Sequence, residues 1–114
     1  MAEIVMAENV FKKGVILDLA DMVEYSVGGV ISKQVIKNNS GNITLFSFDK
    51  GQGLSEHTAP FDAVVQILDG QAQITIGGES VLLQKGQTII MPANISHALL
   101  AVEKFKMLLT MIRE

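Results

Sequence analysis

From Val30 to the end, the chain is a succession of short β-branched and aromatic runs, each closed by a turn built on Gly, Asn, Asp or Pro. VISKQVIK and NITLFSFD flank the turn NNSG and read as a hairpin. AVVQILD and QAQITI are separated by Asp69-Gly70, the strongest short hairpin signal in the chain. Gly77-Gly78 makes the next turn, SVLLQ the next strand, and Lys85-Gly86 another turn. QTIIMP is a strand stopped by Pro92, whose missing N–H cannot extend a ladder. HALLAV and FKMLLTMI complete the set. Seven or eight strands at about ten-residue spacing predict an all-β antiparallel sandwich or barrel.

Side-chain periodicity adds the faces. In QAQITI, Ala72, Ile74 and Ile76 share one face, and Gln71, Gln73 and Thr75 the other. The last strand is apolar on both, with Phe105, Met107, Leu109 and Met111 on one and Leu108 and Ile112 on the other. Such a strand requires cover on both sides, one from the core and one expected from a second subunit. A charged fraction of only 18% points the same way, towards a homodimer formed by sheet packing.

Before Val30 the pattern differs. Asp18 precedes LADMVEY, which predicts one capped helical turn, and residues 1 to 14 are a lead-in that packs only at its end. The chain of 114 residues is read as one domain, a lead-in over residues 1–28 and a β-barrel over 29–114. The net charge of −3, with Lys scattered among Asp and Glu, leaves no basic stripe for nucleic acid. Without Cys there is no disulfide, thiolate metal site or cysteine nucleophile. No apolar run approaches the ~20 residues that span a bilayer. Glu3 and Glu8 interrupt an N-terminus that lacks a basic leader, so a soluble, cytoplasmic protein without a membrane partner is expected.

Only two histidines occur, and both stand beside a predicted strand in a Gly- and Pro-flanked context. Gly51 is followed by five residues and His57, and Gly70 closes that segment; Gly86 is followed by five residues and Pro92, with His97 beyond. These spacings resemble the two motifs of the cupin superfamily, in the small conserved-barrel (cupin 2) type. The resemblance implies a double-stranded β-helix, or jelly roll, with a pocket in the barrel mouth. In typical cupins three histidines and a glutamate hold a divalent metal. The match extends to His57 and His97, while Ala59 takes the second His position, Ala63 the Glu position, Asn94 a Gly position and Ala101 the final Asn position. Strand alternation turns Glu56 and Asp62 away from the face of their neighbours His57 and Ala63.

Three functions follow from this reading. The first is a small-molecule-binding cupin whose barrel-mouth pocket is lined by His57 and His97. The second is a metal-dependent oxygenase or isomerase in which His57 and His97 hold Fe, Mn, Ni or Zn and water or substrate completes the shell. The third is a dimeric interaction module. Tyr25, the one tyrosine, lies far from both motifs in sequence and is not assigned to the site; Met91, Met107 and Met111 read as core fillers.

Overall fold

The computed structural model describes residues 10–113; the first nine residues of the lead-in, with Glu3 and Glu8, and Glu114 lie outside the described residues. Among the described residues, seven strands follow a 3-10 turn at Leu19–Asp21: β1 (Val30–Asn38), β2 (Gly41–Phe48), β3 (Gly53–His57), β4 (Asp62–Ile76), β5 (Glu79–Gln84), β6 (Thr88–Met91) and β7 (His97–Ile112). All pairings are antiparallel. The β1–β2 hairpin turns at Asn39-Ser40, and β5 is reached through Gly77-Gly78, both at positive φ. β6 ends immediately before Pro92, as the missing N–H requires. Asp18 does stand before the helical turn, but its side chain makes no capping bond.

The structure departs from the expected hairpin at Asp69-Gly70. Residues 62–76 form one strand of 15 residues, and residues 97–112 one strand of 16, paired along nearly their whole length. Register shifts fall between Ile67 and Asp69 and between Gly70 and Ala72, so the Asp-Gly pair marks a bulged bend within a strand. Gly70 has φ +79°, the left-handed conformation that a hairpin would also have demanded. A Cβ there would lie 1.8 Å from the Lys104 carbonyl oxygen, so the partner strand occupies the space where a side chain would start. A positive-φ residue pressed against a neighbouring strand bends the ladder and does not reverse it.

The bend divides β4 and β7 between two facing layers. Their Asp62–Ile67 and Lys106–Ile112 halves lie with β1, β2 and β6; their Ala72–Ile76 and His97–Ala101 halves lie with β3 and β5. Between the layers sits the main core, which includes the fully buried Phe48, Val65, Ile67, Ile74, Phe105 and Met107. Phe48 and Phe105 stack with centroids 4.5 Å apart, and Phe105 pairs with Gly70, so the aromatic filling stands at the bend itself.

A second apolar cluster lies on the outer face of β1 and β2. Phe11 and Val23 of the lead-in bury themselves there with Val35 and Leu45, and Leu108 packs against them. Part of the cover required by the outer face of β7 thus comes from the chain's own lead-in, while Ile112 is 56% exposed. Polar bonds fix the same segment: Ser47 Oγ donates to Glu24 O (2.7 Å), Lys106 Nζ to Ala20 O (2.6 Å) and Tyr25 OH to Asp69 Oδ2 (2.5 Å).

Gly70→Ala combines a positive-φ penalty with a backbone clash, whereas Gly51, at φ +86°, has nothing within 4 Å of its added Cβ. Urea unfolding is expected to show a loss above ~3 kcal/mol for Gly70→Ala, against about 1 kcal/mol for Gly51→Ala. Equal losses would contradict the close approach of Lys104.

Candidate functional site

His57 and His97 are cross-strand partners on β3 and β7. The β3 ladder breaks between Leu54 and His57, which lets two residues three apart in sequence share the inner face. Each ring is held by the carbonyl two residues before it, through Nδ1 to Ser55 O at 2.7 Å and to Ile95 O at 3.3 Å. The Ser55 carbonyl, at the shorter distance, favours Nδ1–H on His57 and leaves a lone pair on its Nε2. The two Nε2 atoms lie 3.1 Å apart, with the rings in an edge-on arrangement at 71°. That contact is a hydrogen bond when one ring carries its proton on Nε2, and His97, whose Nδ1 contact to Ile95 O is the longer of the two, is the ring placed to donate it to His57 Nε2.

The histidines close one end of a cavity of about 110 Å³ with otherwise apolar walls. Across it, the opposite layer contributes one lateral row on the inner face: Asn42 of β2 pairs with Met111 of β7, Met111 with Ala63 of β4, and Ala63 with Met91 of β6. Met111, Ala63 and Met91 line the cavity. Asn42, the polar member of that row, holds its Oδ1 buried with no hydrogen-bond partner among the described residues. A buried orphan carbonyl costs about 1–3 kcal/mol. Asn42 does not line the histidine cavity; it borders a neighbouring groove with Ile36, Ile43, Thr110 and Ile112, and only the β2–β7 register sets it beside Met111.

The sequence-derived site residues His57 and His97 are therefore brought together. Ala59 and Ala63 both line the cavity, so the two positions that lack a ligand leave space beside the imidazoles. Glu56 accepts a hydrogen bond from Ser96 Oγ (3.0 Å), and Asp62 accepts one from Ala93 N (2.9 Å); both carboxylates are spent on the outside of the barrel, as alternation predicts. Asn94 stands at φ +65°, the left-handed region, so it reproduces the backbone that the expected Gly would supply. Tyr25 is engaged with Asp69, with the Lys104 and Lys106 ammonium groups 4.6 and 5.0 Å from its ring centroid. Burial, then the Asp69 hydrogen bond and charge, push its phenol far above the ordinary range, and it does not line the cavity.

Do these residues fit the metal that the family's motif implies? The two imidazoles fit one edge of a coordination sphere, and their carbonyl-fixed Nδ1 atoms match the outer support of metal-bound histidines. No group of three or more His, Asp or Glu side chains that could hold a metal exists among the described residues. The hard part of a three-His, one-Glu sphere is thus missing, and only the two-imidazole edge is retained.

The fold is an all-β barrel of two facing layers with two histidines at one end of its internal cavity. Residues 44–113 match the family described as Cupin domain, and the chain belongs to that family. It is 42% identical to a conserved protein of unknown function from Streptococcus pyogenes, over 94% of this chain and 93% of that one, with a TM-score of 0.88. A cupin 2 conserved barrel domain protein from Leptotrichia buccalis is 39% identical over 85% of this chain and 47% of that one, with a TM-score of 0.83. An uncharacterised protein of Streptomyces coelicolor is 27% identical over 64 residues, 56% of this chain and 61% of that protein, so the chain spans about three fifths of that relative's length. No helix among the described residues is long and apolar enough to cross a membrane.

Two measurements bear on the site. Burial holds the His97 imidazole below its usual range; the Ile95 carbonyl opposes this, and the charge of His57 adds to it. The unfolded chain then binds more protons than the folded one as pH falls below about 6.5, so stability rises with pH across that window and is lost on acidification. Chelator-treated protein is expected to melt lower at pH 5.5 than at pH 7.5, and His97→Gln to flatten the slope; an unchanged slope would assign it elsewhere. Removing the orphan oxygen by Asn42→Leu is expected to raise stability by up to ~1 kcal/mol in ligand-free protein. A lowered urea midpoint would show instead that Asn42 serves the fold.

Proposed function

We propose that the chain is a small-molecule-binding cupin whose ligand enters the barrel mouth and presents its electron-pair-accepting end to His57 and His97. The observation that carries this reading is the convergence of the two Nε2 atoms at 3.1 Å on a cavity with apolar walls. A few convergent polar groups in an apolar cavity are the usual anatomy of such sites. The volume of about 110 Å³ limits the enclosed part of the ligand to a short chain or small ring. The protein acts in the cytoplasm.

The second reading is a metal-dependent cupin, an oxygenase or isomerase, and the carbonyl-fixed orientation of both imidazoles favours it. His57 and His97 would hold the ion, which supplies Lewis acidity when bound. The protein's own part is to orient both rings through Ser55 O and Ile95 O and to exclude water with the apolar walls. A homodimer is also proposed: Leu82 and Leu100 are 48% and 44% exposed, and both pair with Gln73 in one row outside the β3–β5 layer. That row suits packing against a second copy.

The test is a thermal-shift panel of short hydroxy acids, amino alcohols and small phenols, run with and without each divalent ion. Ligands carrying a donor are expected to raise the melting temperature of the native chain by several degrees, and His57→Ala/His97→Ala to abolish the shift. Shifts that survive the double substitution would place binding away from the histidines.

A further inference from the structure

Each layer ends in two edge strands, β1 and β6 in one and β3 and β5 in the other. We propose that β5 is an open edge for a second copy of this chain, whose own β5 joins it antiparallel to make one continuous sheet across two protomers. This rests on the homodimer proposed above and fixes where its halves meet.

A bare strand edge invites pairing, and proteins blunt it with Lys, Pro, a bulge, a short strand or a cover. β1 carries Lys33 and Lys37, is bulged between Gln34 and Ile36, and packs its Val35 under Phe11 of the lead-in. β3 breaks its ladder before His57, and β6 has four residues and stops at Pro92. β5 has none of these devices: it pairs with β4 without a register shift, and residues 80–83 are Ser, Val, Leu and Leu. The groups it offers follow from its turn. The two-residue Gly77-Gly78 loop makes Ile76 and Glu79 a hydrogen-bonded pair, so Glu79, Val81 and Leu83 bond to β4 while Ser80, Leu82 and Gln84 turn their N–H and C=O outward. Gln84 N donates to Gln87 Oε1 (2.8 Å), which closes that end of the edge. The outward backbone groups of Ser80 and Leu82 have no partner among the described residues.

The edge is complementary to itself. An antiparallel pair centred on Val81 sets Ser80 opposite Leu82 of the second copy and the reverse, so each free N–H meets a free C=O and Gln84 stays capped. The same register lays Val81 against Val81 of the second copy, a β-branched pair on the side of the strand away from Leu82. Glu79 opens β5 and Lys85 follows its last residue, so antiparallel copies bring each acidic end to the other's basic end. Val81 is 44% exposed, and with Leu83, Gln87 and Ile89 it lines a groove of about 420 Å³ beside the edge, space for the incoming strand.

Sedimentation velocity over a concentration series of the full chain reads the association. An edge pair of this length buries little surface, so a weak dimer that assembles towards the upper end of the series is expected. Val81→Lys sets like charges directly opposite and is expected to weaken the dimer about tenfold or more, whereas Leu100→Lys, in the outer-face row, changes it less than about twofold. Equimolar Val81→Lys and Val81→Glu are expected to recover a mixed dimer, a rescue that requires both variants to be folded. Amide exchange gives a second readout: the Ser80 and Leu82 N–H groups are expected to be protected in the dimer and to exchange on dilution. A dimer that survives Val81→Lys and is lost in Leu100→Lys overturns the edge and leaves the homodimer standing on its face row. Ser80 and Leu82 amides that exchange as fast in the dimer as in the monomer do the same. A wild type that stays monomeric throughout overturns both and leaves the edge to an extended segment of another protein.

Discussion

The antiparallel pairing of β4 with β7 is the constraint on which everything else hangs. The two longest strands are zipped from Asp62–Ile112 at one end to Ile76–His97 at the other, and both bend where the register shifts around Asp69 and Gly70. Because they cross from one layer to the other as a pair, their two ends come to face each other. The cavity is the consequence: His97 near one end of β7 and Met111 near its other end line the same space. Every other strand attaches to this ribbon, except β1, which reaches it through β2. A fold held mainly by contacts so distant in sequence forms its site only when the long pairing is complete.

Much of this was legible in the residues, and the misreading is instructive. The turns at Asn39-Ser40, Gly77-Gly78 and Pro92 are decided locally, by φ preference and the missing proline N–H, and they stand where the sequence puts them. Asp69-Gly70 carries the same local signal, yet it serves a bend. A positive φ is demanded equally by a tight hairpin and by a bulge, and only the partner strand decides between them. The information that Lys104 lies against Gly70 is not within reach of any short window. The same holds for HALLAV and FKMLLTMI, whose junction at Glu103-Lys104 looks like a turn and is the outer side of the bend.

The site divides along similar lines. His57 and His97 were identifiable from spacing, because spacing along two strands sets which residues can meet across them. Asn42 was not: it is one of several polar residues around the β1–β2 turn, and its significance depends on the register that places it opposite Met111 and in a row with Ala63. The methionines were read as fillers because their composition allows nothing sharper. Geometry adds one fact that composition lacks, that Met91, Met107 and Met111 line the same cavity as the imidazoles.

Ala59 and Ala63 change the physics of the pocket as well as its ligand count. A carboxylate at position 63 would bring a charge to a place that is 3% exposed and would need a cation to offset it. With alanine there, the pocket is electrically neutral when both histidines are, and an anionic cofactor-binding wall becomes a soft, apolar one. The imidazoles retain their carbonyl contacts, so both rings keep their orientation at the end of the cavity. Divalent ions depend on anionic ligands to offset dehydration, and the walls of this cavity supply none. Two methyl groups where the family's motif carries ligands therefore change the polarity of the cavity, while the bent β4–β7 ribbon that shapes it is kept.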